Sequence, residues 1–308
     1  MVRYFLRISY IGTKYRGIQK QKGVPDDVFI QGAIEGALST LNLLKHPHAH
    51  FSSRTDKGVH ALMNTLHVDL EHPISDEVFL PHYVKQKLNN HLAKNEHDII
   101  VTNACIVPDT FHARFCARKR SYYYRLAVLK PEISDATFQT CLQYLPVFEM
   151  NRCHIVPSEL NTSIVKRVAD IYRGEHDFSG FTKYLKKDPW RNPIKIIEEC
   201  DFYELPCYKS IGDPQYSNIS MWEFYVKSKA FLYHQVRKMV GVAIAAGLGH
   251  ISLTKVESML EDPNPNKFSR CHLPPPWGLY LANIEYDRKG PLLLLKFVSH
   301  LLIFSPHS

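Results

Sequence analysis

The stretch SSRTDKGVHA, residues 52–61, is the most distinctive segment of the chain and lies between a helical and an extended pattern. On its N-terminal side, apolar residues recur at helical spacing over residues 30–41, and Asp26 and Asp27 occupy positions where helix caps occur. On its C-terminal side, residues 62–70 have the composition of a strand. The segment is therefore predicted to connect a helix to a strand.

Outside this loop, helical and extended patterns continue to alternate toward both termini. Residues 3–10, RYFLRISY, place apolar side chains at every second position, which is typical of a half-buried strand. Residues 76–92 predict a helix and residues 98–106 predict a strand. The second half repeats this content, with helices predicted over Leu160–Tyr172 and Phe231–Leu248, strands over 121–128, Ile194–Glu204 and Trp222–Lys229, irregular structure over 129–157 and a polar loop over Lys209–Ile219.

Strands mixed with helices in both halves predict an α+β fold rather than an all-helical or all-β one. A chain of 308 residues has the length of about two domains. We predict an N-terminal α/β lobe over residues 1–108 and a C-terminal α/β lobe over residues 109–287. The remaining tail, 288–308, contains the apolar run PLLLLKFVSHLLIF. This run could form an amphipathic helix on the body of the protein, on a partner or at a membrane surface, and packing on the body is the simplest expectation.

The charge balance points to a polyanionic partner. Lys and Arg number 38 against 30 Asp and Glu, which gives a net charge of +8. A surface with this balance attracts nucleic acid first of all. The hydrophobic share of 45% and the charged share of 22% exclude a disordered tail protein and a collagen-like chain.

Cysteine usage and the absence of long apolar runs bear on the compartment. The chain has 7 Cys and no C-x-x-C pair, so neither a disulfide framework nor a standard zinc site is predicted. The longest uncharged apolar run, Met239–Leu248, is about half of what a membrane-spanning helix needs. We expect a soluble intracellular protein, without integral membrane association, that is cytoplasmic or mitochondrial. The mitochondrial alternative rests on the basic N-terminus, in which the first acidic residue is Asp26.

Asp56 is the candidate catalytic residue of the segment 52–61. Arg54 and Lys57 flank it, and Gly58 permits a tight turn directly after it. Nearby cations lower the pKa of a carboxylate, which keeps it ionised as a nucleophile or base. The alternative is a surface turn in which the aspartate only caps the backbone and the arginine is solvated.

Two further segments combine basic and aromatic residues. Residues 111–126, FHARFCARKRSYYYRL, alternate cations with rings, a pattern that suits an RNA backbone beside an unpaired base. The alternative is a strand with a solvated basic face and tyrosines in the core. Residues 231–241, FLYHQVRKMVG, place Arg237 and Lys238 on an otherwise apolar helix, where they either serve a site or snorkel at the helix surface.

The same segments carry a resemblance to a known family. SRTDKGVHA resembles the G-R-T-D-x-G-V-H signature of the TruA family of tRNA pseudouridine synthases, and the nearest branch is the eukaryotic tRNA pseudouridine synthase-like 1 group. Further similar segments follow in the family's order and cover about residues 3–286. These are YIGTKYRGIQKQ (10–21), LNNHL (88–92), FHARF followed by SYYYRL, GEHDFSGF (174–181), FLYHQVRKMVG and PPPWGLYL (274–281).

The resemblance implies an enzyme that isomerises a uridine in RNA to pseudouridine, with Asp56 as the catalytic carboxylate. It also implies the pseudouridine synthase fold, in which two similar α/β lobes share a continuous, mostly antiparallel sheet and enclose the active-site cleft. By the same resemblance, Tyr122 stacks on the target base, Arg237 pairs with the catalytic aspartate and Arg54 helps to extrude the nucleotide. No metal and no cofactor are implied. The implied partner is RNA, most of all tRNA bound across a homodimer.

Other residues are expected to contact the RNA that surrounds the flipped uridine. The candidates are His60, Arg114, Arg118, Lys119 and Arg120, although His60 could equally be a buried, hydrogen-bonded histidine. The sequence departs from the family at Ile18, where a tryptophan is usual, and in the tail after Tyr286. The rival function is an RNA-binding protein or chaperone that keeps the basic cleft without catalysis.

Overall fold

The structure is a computed structural model of the chain, and it describes residues 1–131, 141–157, 159–182, 192–206, 214–262 and 271–287. These residues form two compact units. The first unit comprises residues 1–57, 61–118 and those from 283 onward, and the second comprises residues 58–60 and 119–282. The predicted tail, 288–308, and part of the predicted loop, 209–213, lie outside the described residues.

In the described residues, the first unit is a small antiparallel sheet with two helices. Its elements are β1 (Val2–Tyr10), α1 (Ile30–Ser39), β2 (His50–Phe51), β3 (His60–Leu70), α2 (Pro81–Lys94) and β4 (Ile99–Val107). Strand β1 pairs with β3 on one side and with β4 on the other, and β2 pairs with β3. Tyr4, Leu6, Ile8 and Tyr10 of β1 are buried, which confirms the period-two pattern.

Helix α2 begins later than predicted, and the residues predicted to cap α1 do not cap it. Helix α2 begins at Pro81, because the fixed φ of proline suits the first helical position, and not at Asp76. Asp26 and Asp27 do not cap α1, since they lie in a separate 3-10 turn. That turn packs directly on α1 at Gly32, where an added Cβ would lie 1.9 Å from the carbonyl oxygen of Asp26.

Over the part of it that the structure describes, the second unit combines antiparallel strands with three helices. Its elements are β5 (Ala117–Leu129), β6 (His154–Val156), α3 (Thr162–Tyr172), β7 (Gly174–Asp177), β8 (Ile194–Glu204), β9 (Ile219–Ser228), α4 (Gln235–Gly247), α5 (Leu253–Glu261) and β10 (Leu279–Tyr286), of which the ends of β5 and β10 reach into the first unit. The pairing order β5-β9-β8-β7 is antiparallel, and the short β6 runs parallel to β5. The predicted α+β class is confirmed.

The second unit departs from the sequence patterns mainly at short elements. Helix α4 begins at Gln235 and not at Phe231. His234 has a left-handed φ of 62°, which is incompatible with a helix that continues through this residue. The four-residue β7 and the nine-residue α5 were not predicted, since neither is long enough to show a clear period. Strand β10 was not predicted either.

An aromatic cluster fills part of the first unit. The ring of Phe5 makes edge-on contacts with Phe111 at 5.4 Å and with Tyr286 at 5.6 Å between centroids. The hydroxyl of Tyr286 donates to the carbonyl of Ala113 at 2.8 Å and is also bonded to the hydroxyl of Thr65. Residues near both ends of the chain thus share one core. Within the described parts of the chain, no helix is long and apolar enough to cross a membrane.

Candidate active site

Asp56 lies in the loop between β2 and β3, and side chains from β1 and β3 fix the backbone just before it. The hydroxyl of Tyr10 lies 2.8 Å from Oγ1 of Thr55. The amide of Asn64 donates to the carbonyl of Ser53 at 3.1 Å and to the hydroxyl of Tyr10 at 3.2 Å. Because these groups are buried, each bond also satisfies a polar atom that has lost its water. The loop is therefore rigid on its N-terminal side, whereas Asp56 itself is half-buried.

The loop after β1 packs against the same backbone. Gly17 has φ of 105°, and a Cβ added there would lie 3.1 Å from the carbonyl oxygen of Thr55 and 3.4 Å from the amide nitrogen of Lys57. The amide of Ile18 donates to the carbonyl of Thr55 at 3.2 Å. Ile18, which replaces the expected tryptophan, is buried. Only glycine fits this close approach of two backbones, so YIGTKYRGIQKQ supports the Asp56 loop.

The two cations beside Asp56 are more exposed to solvent than the carboxylate is. The side chains of Arg54 and Lys57 are exposed, whereas Thr55 between them is buried. The loop therefore presents one carboxylate beside two solvated cations. This arrangement can bind the phosphates of a polyanion next to a fixed acid.

Tyr122 lies on β5, opposite Val226 of β9, in the second unit. Its side chain is 9% exposed, and its ring makes an edge-on contact with Phe231 at 5.3 Å. The rigid strand and the perpendicular ring fix the plane of the Tyr122 ring. A fixed aromatic plane with a hydroxyl at its tip can stack on a flat ligand and exchange a proton with it.

Arg237, near the start of α4, is also buried, with 8% of the residue exposed. Its Nε and Nη2 donate to the carbonyl of Pro274 at 2.9 and 2.7 Å. Lys238 donates to the carbonyls of Gly180 and Thr182, both at 3.0 Å. Neither side chain therefore snorkels into solvent, so the alternative offered for this helix is wrong.

The segment that Arg237 binds is fixed between α4 and β5 by two close approaches. A Cβ on Gly241 would lie 2.3 Å from the carbonyl oxygen of His272, and one on Gly278 would lie 2.4 Å from Cζ of Tyr124. The hydroxyl of Tyr124 donates to the carbonyl of Pro275 at 2.7 Å. PPPWGLYL thus positions Arg237, a role that the sequence pattern did not reveal, although its conspicuous prolines and glycine were a signal.

His60 is grouped with the second unit and is 1% exposed. Its Nε2 donates to the carbonyl of Asn151 at 3.0 Å, and its ring lies 4.7 Å from the ring of Tyr280. Burial lowers the pKa of His60 to about 4. These contacts match the buried, hydrogen-bonded alternative for this residue.

The buried histidines make stability dependent on pH. Above pH 6.5, His60 is neutral in both the folded and the unfolded chain, and between pH 6.5 and about 4 only the unfolded chain takes up the proton. We therefore expect acidification over this window to lower the free energy of unfolding by up to about 3 kcal/mol through His60. The measurement is urea unfolding at a series of pH values.

The matched variants for this experiment are His60→Phe and His82→Gln. His60→Phe keeps a ring but cannot titrate, so its free energy of unfolding should fall less steeply below pH 6.5 than that of the wild type. His82 is exposed on α2, and its replacement should leave the slope unchanged. Equal slopes for His60→Phe and the wild type would contradict the assignment.

The basic stretch that leads into β5 and includes its first residues is partly neutralised. Arg118 lies 3.3 Å from a carboxylate oxygen of Asp287, and Lys119 forms an ion pair with Glu198. Arg120 donates to the carbonyl of Lys229 at 2.9 Å. Arg114 is exposed. The stretch is a basic surface, but its free charge is smaller than the sequence suggests.

Arg125, at the end of the same stretch, has a structural role. It forms a buried ion pair with Glu223 at 2.9 Å, and its guanidinium lies over the rings of Tyr280 and Tyr123 at 5.1 and 5.7 Å. Burial lowers the pKa of Arg125. The opposing effects of Tyr280 and Glu223 are together larger, so the net pKa lies above its ordinary value. For this part of β5, the alternative of a strand with tyrosines in the core therefore applies.

Three histidines of the first unit form a cluster that could suggest a metal. The ligand atoms of His50, His67 and His112 lie within 4.8 Å of one another. However, Nδ1 of His67 accepts from the amide of Ala113, and Nδ1 of His112 accepts from the amide of Arg114, both at 3.2 Å. A neutral imidazole that accepts through Nδ1 carries its proton on Nε2, which leaves no lone pair for a cation. Metal-bound histidines show the opposite arrangement.

Comparisons with known proteins match this chain to RNA-modifying enzymes. A family model described as tRNA pseudouridine synthase matches residues 168–287. Curated relatives named tRNA pseudouridine synthase-like 1 are 33% identical in Xenopus laevis, with 92% of this chain and 91% of the relative covered, and 31% identical in Homo sapiens, with 94% and 91% covered. The tRNA pseudouridine synthase A of Nitrobacter winogradskyi is 31% identical, with 95% and 98% covered.

Proposed function

Because the chain belongs to the TruA-type family of tRNA pseudouridine synthases, we propose that it isomerises a uridine in RNA to pseudouridine, with Asp56 as the catalytic carboxylate. The observation that carries the role of Asp56 is its loop, which buried hydrogen bonds of Tyr10 and Asn64 and the close approach of Gly17 make rigid. Such pre-organisation is what a catalytic group requires.

The chemistry follows from a single carboxylate. The bond between N1 of uracil and C1′ of the ribose breaks, and the developing positive charge on the sugar is stabilised or captured by Asp56, as in glycoside hydrolysis. The uracil turns, C5 forms the new bond to C1′, the C5 proton leaves and N1 gains a proton. Atoms and electrons balance without an oxidant or a reductant, so the reaction needs no redox cofactor.

We assign three further residues to the same reaction. Tyr122 stacks on the target uracil, because its ring is fixed on β5. Arg237 pairs with Asp56 while its Nε and Nη2 bind Pro274, which fixes its position. Arg54, which is exposed, binds the backbone of the extruded nucleotide. Flipping the uridine out of its stack costs roughly a few kcal/mol of free energy, and these contacts offset that cost.

We infer the finer architecture from the family. In this proposal the lobes 1–108 and 109–287 share a continuous sheet and enclose the cleft that receives the uridine. The substrate is tRNA, as the names of the relatives indicate for those proteins, and two copies of the chain bind it together. Light scattering of the pure protein tests the dimer.

The experiment that tests the function supplies total tRNA with tritium at C5 of uridine. Wild-type protein should release tritium into water, and nucleoside analysis should find an equal amount of new pseudouridine. The rival function, an RNA-binding protein without catalysis, predicts RNA binding with no release. The absence of both products under saturating protein would refute the enzyme.

The basic surface at the start of β5 gives a prediction for binding. Replacing Arg118, Lys119 and Arg120 by Gln should weaken tRNA affinity and flatten its dependence on salt, because fewer counterions are released. Since Arg118 and Lys119 already pair with Asp287 and Glu198, we expect the logarithmic salt slope to fall by about one to two units rather than by about three. Fluorescence anisotropy over a salt series measures this slope.

The control for this variant lies on α2. Lys85 and Lys94 are exposed on that helix, and replacing both by Gln removes two positive charges from a surface outside the basic stretch. Their replacement should leave the salt slope nearly unchanged. An unchanged slope in the triple variant would place the RNA elsewhere.

A further inference from the structure

A row of aromatic rings in the first unit ends at an exposed phenylalanine. The ring of His48 lies 4.6 Å from His50, which stacks on His67 at 4.8 Å with an angle of 14° between their planes. His67 lies 4.5 Å from His112, and His112 lies 4.3 Å from Phe115. We call these five residues the aromatic row. Through it, His112 and Phe115 of the basic stretch pack on the rings of His50 in β2 and His67 in β3.

Phe115 is the open end of the aromatic row. Its side chain is 76% exposed, while the neighbouring His112 ring lies at an angle of 34° to it. The guanidinium of Arg114 lies over the Phe115 ring at 5.8 Å from the centroid. An exposed ring with a guanidinium beside it offers a flat surface for a base and a cation for the adjoining phosphate.

The backbone fixes this end of the aromatic row. Nδ1 of His112 accepts from the amides of Arg114 and Phe115 at 3.2 and 3.4 Å, and the amide of Cys116 donates to the carbonyl of His112 at 2.9 Å. The amide of Ala113 donates to His67 at 3.2 Å. The tight turn that carries Phe115 is therefore bonded to the rings beneath it, so stacking on Phe115 requires no reordering of this backbone.

Three histidines of the aromatic row, His50, His67 and His112, have lowered pKa values, which favours their neutral form. Burial lowers the pKa of His50, His67 and His112, with neighbouring histidines and Arg3 contributing, and for His67 it falls to about 4. Arg3 is paired with Asp69 at 2.7 Å. Neutral rings with a guanidinium at the exposed end favour a partner that offers both a π face and an anion.

Resting on the proposed function, we propose that Phe115 and Arg114 form a stacking site for an unpaired nucleotide of the RNA. The base stacks on the exposed ring of Phe115, and its phosphate binds Arg114. This site serves binding, not the reaction at Asp56. It accepts any base, because every base has a π face and the Phe115 ring carries no polar group that could read a base edge.

The test measures binding of a fluorescein-labelled oligoadenylate of about ten nucleotides, which contains no uridine and cannot be a substrate. Phe115→Ala should weaken its affinity by about fivefold or more, because base stacking on one ring contributes about 1–3 kcal/mol. Phe115→Trp, which keeps an aromatic ring, should retain wild-type affinity. Arg114→Gln should lower the logarithmic salt slope by about one unit.

The matched control is Phe148→Ala. Phe148 belongs to the second unit and is 75% exposed, so its loss removes an equally exposed ring, and among the described residues no aromatic or cationic partner is found for it. Equal affinities of Phe115→Ala and Phe148→Ala for the oligonucleotide would overturn the proposal. If wild-type protein makes no pseudouridine but Phe115→Ala still weakens binding, the stacking site stands and the proposed function fails.

Discussion

Asp56→Asn should lower the single-turnover rate of pseudouridine formation by about 10³-fold or more, because the amide cannot carry the negative charge that the reaction needs. The change is nearly isosteric, and the buried bonds of Thr55 and Ser53 that hold the loop are retained. RNA affinity should therefore stay within about threefold of the wild type, since base and phosphate contacts are retained. Tritium release and fluorescence anisotropy on the same preparation measure both quantities.

The control for Asp56→Asn is Asp27→Asn. Asp27 is an exposed carboxylate in the 3-10 turn before α1, and its loss changes the net charge equally. Asp27→Asn should keep the full rate. A full rate in Asp56→Asn would remove the aspartate from the mechanism, and a loss of RNA binding equal to the loss of rate would make it a binding residue.

Arg237→Met should lower both the rate and the stability. We expect the rate to fall by about 10²-fold, because the Asp56 carboxylate loses the partner that positions it, and misplacement of a catalytic group costs about that much. The free energy of unfolding should fall by about 1–3 kcal/mol, because the buried carbonyl of Pro274 loses both of its bonds to the guanidinium. Arg237→Lys retains the charge but not the fork of donors, so it should recover only part of either loss.

Lys238→Met separates the two effects. Lys238 is the next residue on α4 and also binds two carbonyls, those of Gly180 and Thr182. Its loss should lower the free energy of unfolding to a similar extent but leave the rate per folded molecule unchanged. If Lys238→Met and Arg237→Met lose the same rate at matched folded fraction, Arg237 is a structural residue only.

Much of the fold could be predicted from short-range pattern. The period of two in β1 and the run of strand formers over Ile194–Glu204 correspond to strands that the structure contains. The helix starts could not be predicted as well, because local backbone chemistry decided them. Pro81 sets the start of α2, and the left-handed His234 sets the start of α4. Apolar spacing does not report either effect.

The candidate site shows the same division. The sequence drew attention to Asp56 and Arg237 as candidates, since unusual charges stand out in an apolar or glycine-containing context, and the family resemblance supplied their proposed roles. It could not reveal that Tyr10 and Asn64, which lie far apart along the chain, meet at the Asp56 loop. Burial of Arg237 against Pro274 was equally inaccessible, because it depends on the packing of distant backbone at Gly241.

The contact between Thr65 and Tyr286 constrains when the first unit can fold during synthesis. The two residues are separated by 221 positions in the sequence. A ribosome that has released the chain only just past Phe111 therefore leaves Phe5 and Phe111 without the Tyr286 ring that packs against both of them. Contacts this distant slow folding, and the nascent chain exposes apolar rings until then. Completion of the first unit thus waits until synthesis has passed Tyr286, which makes chaperone protection of the unfinished chain an expected requirement.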